Sequence, residues 1–156
     1  MEIKITEKPI GEEVDFNYFE IVMERWMPVL YQIQDNLYEL DIESDVMASS
    51  TGLPFLICYS KDDQPLKYLT LYDAEKGYLI SLSQTFTFSE ERWEKALDVY
   101  RKFNMGFTRL TGHIDKPERR ITFRYTTSFV EEIPEKEVLE MIFDAFDEET
   151  KSIVEV

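Results

Sequence analysis

The chain has 156 residues, of which 44% are hydrophobic and 14% aromatic, so it can bury one sizeable core. Its formal net charge of −15 repels phosphate backbones and anionic membrane surfaces, which argues against a general nucleic-acid or membrane-surface binder. We therefore expect a single α+β domain over residues 1–156, with an N-terminal helical part at 1–50 and a sheet with helices at 51–156.

The N-terminal part carries a helical pattern, because apolar residues recur there every three or four positions. Pro28 interrupts the pattern, which predicts either one kinked helix or two helices, the second with Pro28 in its first turn. Residues 46–53, VMASSTGL, are predicted to form a loop. The helical stripe consists of Phe19, Val22, Met23, Trp26, Leu30, Ile33, Leu37 and Leu40.

Three strands are predicted next, at residues 54–60, 66–73 and 77–84, separated by the turn-forming sequences KDDQP and DAEKG. Gly77 ends the second turn and suits a positive φ in a hairpin. In LKYLTLYD, apolar and aromatic residues occupy both alternating positions. This pattern predicts either a central strand covered on both faces or a strand with an aromatic outer face.

A second helix is predicted from Ser89 through SEERWEKALDVYRKFN, with acidic residues in its first turn and basic residues in its last, as the helix dipole favours. Two strands, at about 107–114 and 119–127, follow and are joined by DKPE. A last helix begins near Pro134. The predicted order is α-β-β-β-α-β-β-α, an antiparallel sheet packed by helices.

The predicted hairpin concentrates positive charge in an acidic chain. Residues 101–124 contain seven Lys and Arg against two acidic residues, a net +5, which leaves −20 for the remainder. In the second strand, the period of two places Ile121 and Phe123 on one face and the arginines on the other. The predicted partner-binding residues on the outer side are Phe107, Arg109, His113, Arg120 and Arg124.

Two interpretations of these basic residues remain open. They are either solvated outer residues balanced by acidic neighbours, or a docking face for an acidic segment of a partner or of a second copy. A surface for single-stranded nucleic acid would need exposed stacking rings within a basic groove, and we do not expect nucleic acid as a partner.

No motif of a known chemistry is present, so we predict no catalytic residue, metal or cofactor. One histidine with one cysteine cannot supply the common zinc ligand sets. The segment DIESDVMASSTG resembles a calcium loop only in part, because Val46 and Gly52 stand where that loop needs glycine and glutamate. Cys58, in PFLICY, is predicted to be a small buried hydrophobic residue.

The compartment is predicted from what the sequence lacks. A lone cysteine forms no intramolecular disulfide, and MEIKITEKPI has neither the basic nor the apolar region of a secretion signal. No apolar run approaches the roughly 20 residues that cross a bilayer. We expect a cytoplasmic protein without a membrane span.

The element order and the stretch ALDVYRKFNMGFTRLTGHIDKPERRITFRYTTSF resemble the bacterial sensory transduction regulator family, often called YbjN-like. The resemblance covers roughly residues 54–150 and implies a fold similar to that of type III secretion chaperones, which are small, acidic, cytoplasmic and usually dimeric. Such chaperones hold partner polypeptides without turnover, and no catalytic residue is implied. The resemblance is carried by Phe103, Asn104, Gly112, Ile114, Asp115 and Arg124.

The predicted function follows from surplus apolar surface. Residues 14–33 and 138–146 carry more apolar surface than one small core hides, and such surplus marks interfaces. We expect a non-enzymatic protein-binding or regulatory domain that forms a homodimer and holds another protein. The alternatives are a carboxylate-based hydrolase, which needs a pocket lined by acids, and a ligand-sensing domain, which needs an enclosed apolar cavity.

Overall fold

The computed structural model describes residues 4–5, 16–48, 54–60, 64–104, 109–130 and 133–156. Its helices are α1 (Phe16–Glu39), α2 (Glu90–Asn104) and α3 (Lys136–Val154). Its strands are β1 (Lys4–Ile5), β2 (Ser44–Ala48), β3 (Pro54–Cys58), β4 (Lys67–Asp73), β5 (Tyr78–Thr87), β6 (Thr111–Asp115) and β7 (Arg120–Phe129).

All the strands belong to one sheet in the order β1-β2-β3-β4-β5-β7-β6. Every neighbouring pair is antiparallel except β1 with β2, whose two-residue pairing is parallel. The predicted class, an α+β fold with an antiparallel sheet packed by helices, is confirmed. The five predicted strands and the last two helices are present, with ends that differ by a few residues.

The prediction of a loop at residues 46–53 is wrong for its first three residues. They belong to β2, which forms a hairpin with β3 and pairs Val46 with Leu56. The physical reason is burial at every second position, since Val46 is 0% and Ala48 1% exposed. The sequence analysis also missed β1, so the observed order has two strands more than the predicted one.

The first helix is continuous from Phe16 to Glu39 with Pro28 inside it, so the alternative of two separate helices is wrong. Pro28 is exposed, which keeps its ring out of the packed interface. Two turns of buried residues follow it, because Leu30, Ile33 and Leu37 are all 0% exposed against the sheet. Tertiary packing of this face outweighs the local cost of a proline in the helix interior.

The core lies between the three helices and one face of the sheet. Helix α1 contacts β2 and β3, and α3 contacts both other helices. Aromatic rings join the layers: Trp26 meets Tyr78 edge to face with ring centroids 5.9 Å apart, and Phe103 meets Phe123 at 4.8 Å. Among the described residues, no helix has the length and apolar character needed to cross a membrane.

Candidate partner-binding face

The sheet has two unlike faces. Residues that point toward the helices, such as Leu56, Leu69, Leu82 and Ile121, are 0–1% exposed. The alternate residues point the other way, and most of them are half-buried or exposed, because no helix of the described residues packs over them. We call this second surface the open face.

One part of the open face is apolar and aromatic. Registers place Ile57 opposite Tyr68 and Tyr72 opposite Leu79, on the strands from β2 to β5. Tyr68 is 37% and Tyr72 39% exposed, both large fractions for aromatic side chains in a sheet. We call this surface the aromatic half, and it consists of Met47, Phe55, Ile57, Tyr68, Tyr72 and Leu79.

The aromatic half decides between the two predictions made for LKYLTLYD, a strand covered on both faces or a strand with an aromatic outer face. Its strand, β4, is central in the sheet, and the helices of the described residues cover one of its faces. Tyr68 and Tyr72 are exposed on the other, so the prediction of an aromatic outer face is confirmed. Neighbouring rings of this half contact each other, since the centroids of Phe55 and Tyr68 are 5.9 Å apart. This contact covers only part of each ring, so the rest of each ring can contact a partner.

The other part of the open face is polar and basic. Strand pairing sets Thr111 opposite Arg124 and His113 opposite Thr122. These four residues, with Gly112, line a shallow depression of about 420 Å³. We call this surface the basic half, and it consists of Thr85, Thr111, His113, Arg120, Thr122 and Arg124.

The cations of the basic half are not equivalent. Arg120 is paired with Asp115, with its Nη2 3.3 Å from the Oδ2 of the acid, so its charge is partly offset locally. Arg124 is exposed, and no carboxylate of the described residues forms an ion pair with it. The hydroxyl of Thr111 donates a hydrogen bond to the backbone carbonyl of Arg124. Arg124 is therefore the principal available cation here.

The structure disperses the other basic residues of the hairpin segment. Arg101 and Lys102 lie on α2, where Arg101 pairs with Asp98 at 3.2 Å. Arg119 has a φ of 52° and donates from its Nε to the carbonyl of Phe88 at 3.1 Å. The net +5 of residues 101–124 is thus shared between two sides of the molecule rather than presented on one face.

The structure does not group the other two predicted site residues with Arg124, His113 and Arg120. Arg109 is exposed just before β6, and its backbone N–H donates to the Glu149 carboxylate of α3 at 2.9 Å. Phe107 lies outside the described residues. The sequence prediction therefore brings three of its five residues together on two paired strands.

The sequence analysis did not assign the aromatic half to a site, although LKYLTLYD carried the signal. The partners of Tyr68 and Tyr72 lie on β3 and β5, and no one of these segments encodes the strand order. Apolar or aromatic residues at both alternating positions of one strand, repeated on a neighbouring strand, are the pattern that indicates such a surface.

Among the described residues, apolar side chains that the single subunit leaves uncovered lie mainly on the open face of the sheet. In α3, Leu139, Ile142, Phe143 and Phe146 are buried within the single subunit, and Met141 remains 60% exposed. The described part of the predicted segment 14–33 is likewise largely covered; the side chains of residues 14–23 lie outside the described residues. On residues 24–33 and 138–146 the apolar surplus is therefore smaller than predicted, and residues 14–23 do not enter this comparison.

Cys58 and His113, the chain's single cysteine and histidine, lie on opposite faces of the sheet. Cys58 is 2% exposed, as predicted, and burial raises the pKa of its thiol to about 12 against the opposing effect of the Lys67 charge. No three His, Cys, Asp or Glu residues of the described ranges are grouped to hold a metal ion. His113 is exposed on β6 opposite Thr122 of β7, in the depression that Thr111 and Arg124 also line.

Comparison with known proteins adds no relative from which function could be read. Searches with protein-family models, against curated proteins and against solved structures gave no significant match.

Proposed function

We propose that this protein is a non-enzymatic binding domain that forms a homodimer and holds a partner polypeptide on the open face of its sheet. The observation that carries the proposal is a sheet covered by helices on one side. Its other side has exposed tyrosines and Arg124, an exposed arginine with which no carboxylate of the described residues forms an ion pair. Contiguous exposed apolar surface of this kind is uncommon on monomers and is typical of interaction sites.

The aromatic half is the better surface for a second copy. A two-fold interface places each residue near its own counterpart or a symmetric neighbour, so a central arginine would meet like charge. Tyr68, Tyr72 and Ile57 carry no charge and offer the amphipathic rings that interface cores favour. Dimerisation through this half leaves the basic half accessible.

The basic half suits an acidic, extended segment of the partner. The Arg124 guanidinium can form a forked pair with a carboxylate that enters the depression lined by Thr111 and Thr122. Strand β6 is the last strand of the sheet, and among the described residues nothing pairs with its outer edge. An added strand along this edge would gain main-chain hydrogen bonds while its acids meet Arg124.

Membership of the YbjN-like family, a type III secretion chaperone-like arrangement and a cytoplasmic location are part of the same proposal. The helix–hairpin–helix order of α2, β6, β7 and α3 supports them, as does the acidity of the chain. The partner-holding role that the resemblance implies agrees with a site that lacks a grouped nucleophile and base.

The test is selective loss of one interaction. The tagged wild type is incubated with cell extract, and the protein that it captures is purified. This protein is then titrated against the wild type and against the variant Arg124→Glu. We expect reversal of the Arg124 charge to weaken that binding by roughly tenfold or more, since a charge-assisted pair becomes a repulsion.

The matched control is Arg101→Glu with Lys102→Glu, which changes charge on α2, away from the open face. Similar weakening by the control would mean that only overall charge matters, and the docking role of Arg124 would be rejected. Unchanged binding by Arg124→Glu would reject it as well.

A further inference from the structure

The depression of the basic half contains two side chains that can carry positive charge, Arg124 of β7 and His113 of β6. The strand register places His113 opposite Thr122, two positions before Arg124, so the two side chains are diagonal neighbours on the open face. Such neighbours have Cα atoms roughly 7–8 Å apart, which long side chains can span. Both residues are exposed, so one group that enters the depression can contact both.

The charges around this pair within the sheet are already balanced. On β6, Asp115 is two positions from His113, but its carboxylate forms the ion pair with Arg120. The neighbouring positions on β5 are Ser83 and Thr85, which carry no charge. The described sheet residues next to the pair therefore offer it no unpaired carboxylate.

The donors that line the depression are not equally available. The Thr111 hydroxyl donates to the backbone carbonyl of Arg124 at 3.3 Å, and the hydroxyls of Thr122 and Thr85 are hydrogen-bonded to each other at 2.8 Å. The guanidinium of Arg124 and the imidazole of His113 form no hydrogen bond or ion pair with a described residue. A ligand in the depression would therefore be held mainly by their N–H groups.

The number of these donors distinguishes two classes of anion. A guanidinium donates two parallel N–H groups, which use both oxygens of a carboxylate. A phosphoryl group has three terminal oxygens and a charge of about −1.5 to −2 near neutral pH, so a third oxygen and further negative charge remain for a histidine. Arg124 and His113 together therefore match a phosphoryl group better than a carboxylate.

We propose that the acidic group bound in this depression is a phosphorylated side chain of the partner polypeptide, with two phosphoryl oxygens on the Arg124 guanidinium and the third on the His113 imidazole. This inference rests on the proposed function, because it takes the basic half as the surface that meets the partner, and it names the chemistry of the group bound there. Since the chain is strongly acidic, a phosphorylated segment is attracted only where its cations are grouped.

The first test uses three short blocked peptides, identical except for one position that carries phosphoserine, glutamate or serine. They are titrated at one pH and one ionic strength and followed by NMR. His113 is the chain's single histidine, so its imidazole resonances are identified without mutation. We expect the phosphoserine peptide to shift them and to bind roughly tenfold more tightly than the glutamate peptide, because it makes one further charge-assisted hydrogen bond. The serine peptide should cause no shift.

Equal affinity for the phosphoserine and glutamate peptides would overturn the phosphoryl assignment and leave the proposed binding of an acidic segment standing. Unchanged His113 resonances with the phosphoserine peptide would overturn it too, whereas the titration with Arg124→Glu decides the proposed function separately. Inorganic phosphate, titrated alone, distinguishes the source of the group. If it binds as tightly as the phosphoserine peptide, the site takes a free anion and the proposal is rejected; weaker binding supports a polypeptide.

The second test uses variants. With His113→Ala, we expect affinity for the phosphoserine peptide to fall roughly tenfold and affinity for the glutamate peptide to change by less than about twofold, because only the third oxygen loses its donor. The amide resonance of Gly112 reports binding in this variant.

The matched control, Lys102→Ala, removes a positive charge from α2 and should change neither affinity. An equal fall for both peptides in His113→Ala, or the same fall in the control, would reject the contact between His113 and the phosphoryl group. Circular dichroism verifies that both variants fold, and the peptide comparison on the unmodified protein decides independently.

Discussion

Lys67 is an ionised residue placed where most proteins place an apolar one. It is 7% exposed on the helix side of β4, with its Nζ 2.9 Å from the Oδ1 of Asp147 and 5.8 Å from the ring centroid of Phe146. The two partners differ, because the side chain of Asp147 is 55% exposed. Loss of the aspartate would therefore leave a buried charge without its partner, whereas loss of the lysine would leave a carboxylate that water still solvates.

This asymmetry predicts the order of two substitutions. Asp147→Ala leaves a buried ammonium without its counter-charge, and we expect it to lower the free energy of unfolding by about 1–3 kcal/mol, less than for a fully buried pair because Asp147 is part-exposed. Lys67→Met keeps the volume, and the aspartate that remains is solvated, so its cost should be smaller. Urea denaturation of both variants measures the order.

The control for this pair is Asp98→Ala, which breaks the exposed ion pair with Arg101, whose side chains are 70% and 66% exposed. We expect a change within about 0.5 kcal/mol there. A Lys67→Met variant that unfolds more easily than Asp147→Ala would show that the ammonium is satisfied by something other than the aspartate.

At the scale of elements, β6 passes against the side chain of Tyr100 on α2, and Gly112 permits this approach. A Cβ on Gly112 would lie 2.5 Å from the Cε2 of Tyr100 and 2.9 Å from its hydroxyl oxygen. Tyr100 cannot move away easily, because it is 8% exposed and packs on Phe103 and Phe123. The closeness of the strand to the helix thus requires a residue without a side chain.

We expect Gly112→Ala to destabilise the fold by about 1–3 kcal/mol, the usual cost of overpacking a core. His113→Ala, in the next position of β6 but on the open face, is the matched substitution and should change stability by less than about 0.5 kcal/mol. Thermal and urea unfolding of the two variants give the comparison. Equal stability of Gly112→Ala and the wild type would mean that β6 shifts freely on the sheet.

The elements also show which parts of the fold were accessible from the sequence. Helix α2 and the β6–β7 hairpin were predicted because their caps, turn residues and alternation are local signals that agree with the tertiary structure. Strand β2 was missed because its five residues, SDVMA, are short and begin with turn-forming types. Only its pairing with β3 shows that Val46 and Ala48 face the core.

At the scale of the whole molecule, the sequence predicted the kind of surface better than its position. Alternation along the second hairpin strand correctly placed Arg120 and Arg124 on one face and Ile121 and Phe123 on the other. Whether the other basic residues lie on the same face depends on strand order and on the side of the sheet on which each helix packs. A local sequence pattern determines neither. For the same reason the aromatic half, assembled from four strands, was not predicted as one surface.

The oligomeric state tests the division of the open face into two halves. We expect the wild type to elute with about twice the subunit mass of 18.6 kDa when light scattering is measured during gel filtration. Tyr68→Glu with Tyr72→Glu should give the monomer, because burying two carboxylates at the centre of an interface costs several kcal/mol. Tyr38→Glu makes the same chemical change at a tyrosine on α1 and should leave the mass unchanged.

Salt separates the two proposed interactions of this face. Association through uncharged rings is driven by apolar burial, so the dimer should dissociate little between about 0.1 and 0.5 M salt, whereas partner binding at Arg124 should weaken as its charge is screened. A wild type that is monomeric at roughly 100 µM, a concentration at which weak micromolar dimers still form, would remove the homodimer from the proposal. A dimer that survives both tyrosine substitutions would instead place its interface away from the aromatic half.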